Sequence, residues 1–316
     1  MIRLLTRVVL AASATTIVAC GASTEPNSPA IRPEWTEIAF IRYQDKNSQK
    51  PTWQLAIVNA DGTKLRFLTD TLWVIGGAEF SPDGAQIAFA GGANPVVADA
   101  ATRAEHPGGI WLINRDGTGL RRIDSPPTAE FPRWSPDGRQ LVYAAQSTID
   151  IWIENADGTS AHALTSGPEA DVDPVISPDG RSIAFARTMA SQTQSAIFVM
   201  NLDGTNVRRL TDYSQYNRFP NWTIEGTQLT FGHVGDDGSY LAVVRIDGTG
   251  FGRFTPAVSD VFYSSWRPDG KVIAYATPLF DALGLFTLDV VSGQRTPITP
   301  QVTHVRDFQP SWGRTR

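Results

Sequence analysis

The sequence predicts an all-β protein, a β-propeller built from four-stranded blades. Two turn motifs support this prediction because both recur along the chain. The motif Asp-Gly-Thr occurs five times, beginning at Asp61, Asp116, Asp157, Asp203 and Asp247. The motif Pro-Asp-Gly begins at Pro82, Pro136, Pro178 and Pro268, with a degenerate copy at Ile224-Glu225-Gly226. Successive copies lie roughly 40–55 residues apart, which is the period of one propeller blade.

One repeat shows how the sequence would form a blade. Residues 131–135, 140–144, 151–155 and 162–165 are rich in the apolar, aromatic and β-branched residues that suit strands. The Pro-Asp-Gly turn separates the first two strands, and the Asp-Gly-Thr turn separates the last two. Asp-Gly favours tight hairpins because such turns need a positive φ, which glycine adopts freely and aspartate tolerates.

The repeats predict six blades. Five contiguous units cover residues 78–124, 130–166, 173–212, 219–255 and 262–299. The two ends of the chain supply the sixth, because residues 34–69 carry its second, third and fourth strands and residues 308–312 carry its first strand. A blade shared between both termini would close the ring and leave no long open edge.

The Pro-Asp-Gly and Asp-Gly turns, with a second strand such as Ile87-Ala88-Phe89 or Ile183-Ala184-Phe185, resemble the repeat of the TolB-type propeller family. The resemblance covers residues 34–316 and implies a six-bladed propeller. It does not extend to TolB itself, which carries an α/β domain before its propeller and is soluble in the periplasm. Here only a short segment separates Cys20 from the first blade.

The N-terminus is predicted to be a targeting segment. Arg3 and Arg7 precede a short apolar stretch that is too short to span a bilayer stably. It ends in Ala19-Cys20-Gly21, which resembles the bacterial lipoprotein box, in which the cysteine is acylated. An ordinary secretory leader that happens to contain a cysteine is the alternative. We expect a signal peptide at 1–19, the lipidated Cys20 with a flexible tether at 20–33, and the propeller at 34–316.

The lipoprotein resemblance also implies a location. An acylated Cys20 would anchor the protein in the bacterial cell envelope. Gly21, in place of an aspartate after the cysteine, implies the outer membrane of a Gram-negative cell, with the protein facing the periplasm. The tether of about a dozen residues reaches at most on the order of 40 Å, so the folded part would stay near its membrane.

Composition and motifs exclude several classes of function. The net charge is −5 and no cluster of Lys and Arg occurs, which argues against nucleic acid as a partner. The sequence contains no Gly-x-Ser-x-Gly nucleophile motif, no phosphate-binding loop and no zinc-protease helix motif. We therefore predict no catalytic residues and no cofactor. With one cysteine, an intramolecular disulfide is impossible.

The candidate binding face is the side of the propeller opposite the Asp-Gly turns, which we call the mouth face. The connections after strands two and four lie there, and their sequences are irregular, as is common for binding loops on a rigid scaffold. Those after strand four lead into the innermost strands and would border the central channel. The candidate residues are Trp73, Glu130, Asp171, Asp173, Tyr213, Tyr216, Arg218, Asp260 and Asp307.

This acidic and aromatic mouth would suit a peptide, a sugar or a basic loop of a partner protein. In the alternative interpretation, the charges only solvate the channel and the aromatic residues only pack on neighbouring loops. His106, His233 and His304 fall on the same face, but His106 and His233 belong to opposite blades, so no metal site is predicted. The repeated Asp-Gly aspartates are explained by turn chemistry.

These features favour a membrane-anchored periplasmic propeller that acts as a protein-binding or scaffold module, expected to be a monomer. Its partner would be an envelope protein or peptide. A sensor or assembly accessory within a larger envelope complex would differ only in having a fixed partner. The alternative is a propeller enzyme, a lyase or hydrolase acting on glycans. It would use a metal or channel-mouth carboxylates such as Glu130 and Asp173 for acid–base catalysis.

The predicted closing blade can be tested by truncation. Deleting residues 306–316 should lower the melting temperature far more than trimming an ordinary terminus, because the first strand of one blade would be lost and the ring opened. Thermal unfolding followed by circular dichroism measures the effect. A truncated protein that melts within a few degrees of the intact one would contradict the shared blade.

Overall fold

All the regular secondary structure in the described part of the computed structural model consists of β-strands, which confirms the all-β prediction. The structure describes residues 35–45, 52–70, 72–93, 108–123, 125–126, 128–145, 147–189, 194–236, 238–254, 261–279, 282–300, 302 and 304–314. Across these residues there is no helix with the length and apolar character needed to cross a membrane.

The strands follow one another along the chain with short connections between most of them. They are β1 (Trp35–Gln44), β2 (Thr52–Asn59), β3 (Arg66–Phe67), β4 (Leu72–Phe80), β5 (Gln86–Ala93), β6 (Gly109–Asn114), β7 (Arg121–Arg122), β8 (Ala129–Trp134), β9 (Gln140–Ala145), β10 (Asp150–Asn155), β11 (His162–Ala163), β12 (Ala170–Ile176), β13 (Ser182–Thr188), β14 (Ser195–Asn201), β15 (Arg208–Arg209), β16 (Tyr216–Trp222), β17 (Gln228–Gly235), β18 (Gly238–Arg245), β19 (Gly252–Arg253), β20 (Phe262–Trp266), β21 (Val272–Leu279), β22 (Ala282–Asp289), β23 (Arg295–Pro297) and β24 (Val305–Arg314).

Consecutive strands pair antiparallel in sets of four. The sets β4–β7 and β8–β11 are separate sheets. The sets β12–β15 and β16–β19 join into one eight-stranded sheet through a parallel contact between Ser195 and Tyr216. The strands β20–β23 join the remaining strands through a parallel contact between Leu283 and Arg306.

The C-terminal strand pairs with the N-terminal one. Strand β24 lies antiparallel to β1, with Ile38 opposite Trp312 and Ile41 opposite Phe308. Strand β1 continues to β2 and then β3, so β24 occupies the place that the first strand takes in the other sets. Chain ends that are more than 260 residues apart in sequence therefore share one sheet.

The core lies between the sheets and contains one aromatic position that repeats in every set. The second strand of each set carries one large, fully buried aromatic side chain with the ring inside the core, because alternate residues of a strand face the same side. These residues are Phe40, Phe89, Tyr143, Phe185, Phe231 and Tyr275. The Ile-Ala-Phe pattern of the sequence is thus a core pattern.

The tryptophans near the ends of the first strands join neighbouring sets. The indole N–H of Trp134 donates to the carbonyl of Glu79 at 3.2 Å, and that of Trp222 donates to the carbonyl of Val175 at 3.1 Å. Trp312 donates in the same way to the carbonyl of Ser265 at 3.1 Å. Each bond satisfies a buried indole donor and fixes one sheet against the next.

The repeated aspartates are turn residues, as predicted. In each Asp-Gly-Thr turn, one aspartate oxygen accepts hydrogen bonds from both the backbone N–H and the hydroxyl of the threonine, as Asp157 does from Thr159 at 3.0 and 2.7 Å. The hydrogen bond from the Thr159 hydroxyl lowers the pKa of Asp157. Glycine is required at Gly62, because its φ is 83° and a Cβ there would lie 2.6 Å from the carbonyl oxygen of Ile298.

The predicted loop boundaries on the mouth face are wrong at three connections. The sequence predicts connections after the fourth strands at residues 70–77, 211–218 and 300–307, but β4 begins at Leu72, β16 at Tyr216 and β24 at Val305. The second strands also continue on this side, so their backbone groups pair with those of the first strands. Asn217, for example, lies opposite His233.

The degenerate turn at Ile224 can be repaired. In the intact copy, the Ser177 hydroxyl donates to Asp179 at 2.5 Å and accepts from the Ser182 N–H at 2.9 Å. In the degenerate copy, the buried Thr223 hydroxyl has no hydrogen-bond partner among the described residues. Replacing Thr223, Ile224 and Glu225 by Ser, Pro and Asp should raise the melting temperature by a few degrees, because the hydroxyl regains its partner and proline restricts the unfolded chain.

The reverse change is the matched control for this repair. Replacing Ser177, Pro178 and Asp179 by Thr, Ile and Glu should lower the melting temperature. A repaired protein that melts at or below the wild-type temperature would show that the turn is not a weak point of this repeat.

Candidate binding face

Six strands carry the same local distortion and together line one pocket. We call them the inner strands: β4, β8, β12, β16, β20 and β24. Each has a register shift typical of a β-bulge and one residue with φ between 54° and 61°. These bulge residues are Gly77, Phe131, Asp173, Phe219, Tyr263 and Gln309. A left-handed conformation of a bulky residue costs about 1–3 kcal/mol, so the surrounding structure must hold it.

The axial pocket lies where the inner strands meet. It has a volume of about 20 Å³ and is lined by all six bulge residues and by the residues that follow five of them, including Pro132, Ser264 and Pro310. This volume is close to that of one water molecule. Aromatic rings border the pocket, with Phe131 6.4 Å from Phe219 and Phe219 4.2 Å from Tyr263 between centroids. The space between the inner strands is therefore narrow at the level of the bulges.

Three predicted residues, Asp173, Tyr216 and Arg218, come together beside this pocket. Arg218 donates from Nε and Nη2 to the two carboxylate oxygens of Asp173, at 2.5 and 3.2 Å, and from Nη1 to the Tyr216 hydroxyl at 3.2 Å. Its guanidinium lies 5.7 Å from the Tyr216 ring centroid and 5.1 Å from that of Phe219. The ion pair of Asp173 and Arg218 joins β12 to β16. It presents a partly exposed arginine between aromatic rings.

The pKa values of the titratable groups in this cluster depend on burial and on the neighbouring charges. Burial alone would lower the pKa of Arg218, but the charge and hydrogen bonds of Asp173 outweigh burial and raise it. Burial and the negative charge of Asp173 raise the pKa of Tyr263 to about 12, although Arg218 opposes the shift. Tyr263 is therefore a neutral hydrogen-bonding group at physiological pH, while Arg218 stays charged.

Two further predicted residues, Asp171 and Tyr213, lie around Arg187. Asp171 accepts from Arg187 Nε and Nη2 at 2.6 and 2.7 Å, and only 2% of the Asp171 side chain is exposed. Arg187 also lies 5.0 Å from the ring centroid of Phe198, which packs 6.1 Å from Tyr213. Burial raises the pKa of Tyr213, and the positive charges of Arg187 and Arg209 oppose this increase. Asp171 therefore serves to hold the arginine rather than to face solvent.

Asp307 repeats the arrangement of Asp171 in another sheet. It is fully buried and accepts two hydrogen bonds of 2.6 Å from Arg42, which lies directly opposite it on β1. The equivalent position on β16 is Asn217, which faces His233 on β17, with 2.7 Å between Asn217 Oδ1 and His233 Nδ1. These three buried polar pairs occupy the same rung of the ladder between a first and a second strand.

The structure brings the remaining candidates to no common site. Glu130 lies on β8, opposite Ala144. Trp73 lies on β4, where the structure describes its backbone only, and Asp260 lies outside the described residues, as does His106. His233 is buried and His304 is exposed. Within the described ranges, no group of three or more His, Cys, Asp or Glu side chains could hold a metal ion.

The bulge residues Phe131, Phe219, Tyr263 and Gln309 are not among the site residues predicted from the sequence. A signal was present, because proline follows the bulge residue in four of the six inner strands. In each of the four, the proline stands two residues before the large apolar residue near the end of the strand. The copies are Phe131-Pro132, Asp173-Pro174, Phe219-Pro220 and Gln309-Pro310. The pattern escapes notice because the bulge residue itself varies in chemistry, and only its conformation is shared.

Repeated four-stranded antiparallel sets, whose inner strands meet at one pocket, are the architecture of a β-propeller. The chain belongs to the PD40 family, the TolB beta propeller domain, whose family profile matches residues 34–316.

Individual relatives agree with this assignment. The Tol-Pal system protein TolB of Francisella tularensis is 28% identical over 159 residues, which are 49% of this chain and 36% of the relative. An uncharacterized protein of Agrobacterium fabrum is 26% identical over 183 residues, 52% of this chain and 60% of the relative. The crystal structure of TolB from Acinetobacter baumannii matches with a TM-score of 0.69 at 18% identity, over 88% of this chain and 66% of that one. The chain thus spans less than two thirds of each relative, and the TM-score supports the shared fold.

The buried pair between Arg42 and Asp307 predicts a large and asymmetric effect of mutation. Arg42→Met should reduce the free energy of unfolding by about 3–5 kcal/mol, because it leaves the fully buried Asp307 carboxylate without its cation. The double variant Arg42→Met, Asp307→Leu should recover most of this loss, because two apolar side chains need no partner. Urea unfolding measures both. Equal losses in the single and double variants would contradict the role of the ion pair.

Proposed function

We propose that the four-stranded sets form the six blades of a closed ring, with β24, β1, β2 and β3 as the closing blade. The antiparallel pairing of β24 with β1 supports this arrangement. So do the contacts of β24 with β4, where the Gly77 N–H donates to Gln309 Oε1 and the Phe80 N–H donates to the Ser311 hydroxyl. These bonds link the end of the chain to the first complete blade.

We propose further that the protein is a binding or scaffold module of the cell envelope, which recognises an envelope protein or peptide through its mouth face. The observation that carries this proposal is the cluster of Asp173, Tyr216 and Arg218. Tyrosine and arginine contribute strongly to protein interfaces, and a surface held in place before binding loses little entropy on binding. Arg218 is fixed by three hydrogen bonds yet 19% of its side chain remains exposed.

The narrow axial pocket favours binding at the mouth over passage through a channel. Since the bulges leave room for about one water molecule, a partner would meet a floor made of Phe131, Phe219 and Tyr263. The geometry also argues against acid–base catalysis by Asp173. Its carboxylate accepts hydrogen bonds from Arg218 and from the Phe219 N–H, so it is committed to holding the cluster together.

The proposed location rests on the N-terminal sequence and on the relatives. An acylated Cys20 would hold the module at the outer membrane, facing the periplasm, and so raise its concentration near envelope partners without any added contact. The Francisella relative is named as a Tol-Pal system protein. Metabolic labelling with a fatty-acid analogue, compared between the wild type and Cys20→Ala, tests the anchor.

Crosslinking in native membranes tests the binding role. The full chain with a C-terminal tag is compared with a Trp73→Ala, Tyr216→Ala variant that keeps the ion pair of Asp173 and Arg218. We expect at least one envelope protein to be crosslinked to the wild type and lost from the variant, because the variant removes two of the aromatic side chains that the sequence predicts for the binding face. Mass spectrometry of the crosslinked products identifies the partner.

The control for this experiment is Val291→Ser, which changes a residue that is 88% exposed in the turn between β22 and β23. It should keep the same partner as the wild type. Equal recovery with all three proteins would place binding away from the mouth, and recovery of no partner by the wild type would contradict a protein-binding role.

A further inference from the structure

Ser264 is a buried polar residue whose side chain lacks a protein partner. It follows the bulge residue Tyr263 on β20, and only 3% of the residue is exposed. Its carbonyl accepts a hydrogen bond from Asn221 Nδ2 at 2.7 Å. Its hydroxyl, by contrast, has no hydrogen-bond partner among the residues that the structure describes. A buried hydroxyl that bonds to nothing destabilises a protein, so buried polar groups nearly always have a partner.

Ser264 lines the axial pocket, and the pocket has the size that one water molecule needs. Its volume of about 20 Å³ exceeds the roughly 10–15 Å³ required to hold a water. Room alone is not enough, because a buried water also needs two to four polar partners.

The pocket supplies a second polar partner in Gln309. The Gly77 N–H donates to the side-chain oxygen of Gln309, which assigns that oxygen as the acceptor and leaves the amide nitrogen with two N–H donors. Gln309 is 8% exposed and lines the pocket together with Ser264. The carboxylate of Asp173 also borders the pocket and can accept a hydrogen bond.

We propose that the axial pocket binds one water molecule, held by the Ser264 hydroxyl and the Gln309 amide nitrogen. The water satisfies Ser264 and connects the neighbouring inner strands β20 and β24, beside the rings of Phe219 and Tyr263 that also line the pocket. It is part of the floor of the mouth and independent of any partner that binds above it.

The direction of a stability change distinguishes a hydrated hydroxyl from an unsatisfied one. If the water is bound, Ser264→Ala removes one of its hydrogen bonds and the melting temperature falls by a few degrees. If the hydroxyl is unsatisfied, the same substitution removes a buried polar group without a partner, and the melting temperature rises. A rise or an unchanged value therefore overturns the proposal.

Thr223 provides the matched control. Its hydroxyl is also buried and without a partner among the described residues, but Thr223 does not line the axial pocket. Thr223→Val keeps the shape of the side chain and removes the hydroxyl, so we expect no fall in melting temperature. A fall equal to that of Ser264→Ala would show that losing any such hydroxyl destabilises this protein, and would overturn the proposal.

A crystal structure of the full chain at a resolution that orders internal waters gives an independent measurement. We expect a density peak within hydrogen-bonding distance of both Ser264 Oγ and Gln309 Nε2, at about 2.7–3.2 Å. A wild-type structure with no peak there would overturn the proposal even if Ser264→Ala were destabilised.

Discussion

The hydrogen bonds that join one inner strand to the next at the bulges are the interaction on which the rest of the structure depends. At two of the six bulges, a side chain on a neighbouring inner strand accepts a hydrogen bond from the backbone N–H of the bulge residue. Gln309 does so for Gly77, and Asp173 does so for Phe219. A buried N–H without a hydrogen bond destabilises the folded protein. These bonds therefore stabilise Gly77 and Phe219 in the left-handed conformation. They also fix adjacent sheets against each other at the axis.

The same bulges determine the shape of the axial pocket and the course of the inner strands on the mouth face. Phe131, Phe219 and Tyr263 converge on the axial pocket as bulge residues and narrow it with their side chains. Gly77 occupies the bulge of β4, where a Cβ would lie 2.7 Å from the backbone of Phe131. Beyond the bulge, the inner strands continue toward the mouth, which is why Arg218 is carried on a paired strand.

Buried polar pairs then set the register between first and second strands on the mouth side. A shift of one residue would turn Asp171 away from Arg187, or Asp307 away from Arg42, and leave a buried charge unpaired. The pair of Arg42 and Asp307 is the more consequential, since it joins the two ends of the chain. Residues that look from their sequence like a solvent-facing acidic mouth therefore act largely as internal structure.

The sequence by itself determined the all-β class, the repeat and the turns, because Asp-Gly-Thr and Pro-Asp-Gly encode local conformation within a few residues. It also placed Asp173, Tyr216 and Arg218 on one face. Only the tertiary structure decided that Asp173 binds Arg218, that Asp171 and Asp307 are buried, and that Phe219 reaches the axis. Those outcomes depend on which strands lie side by side, and partners 45 or 265 residues apart leave no local pattern in the chain.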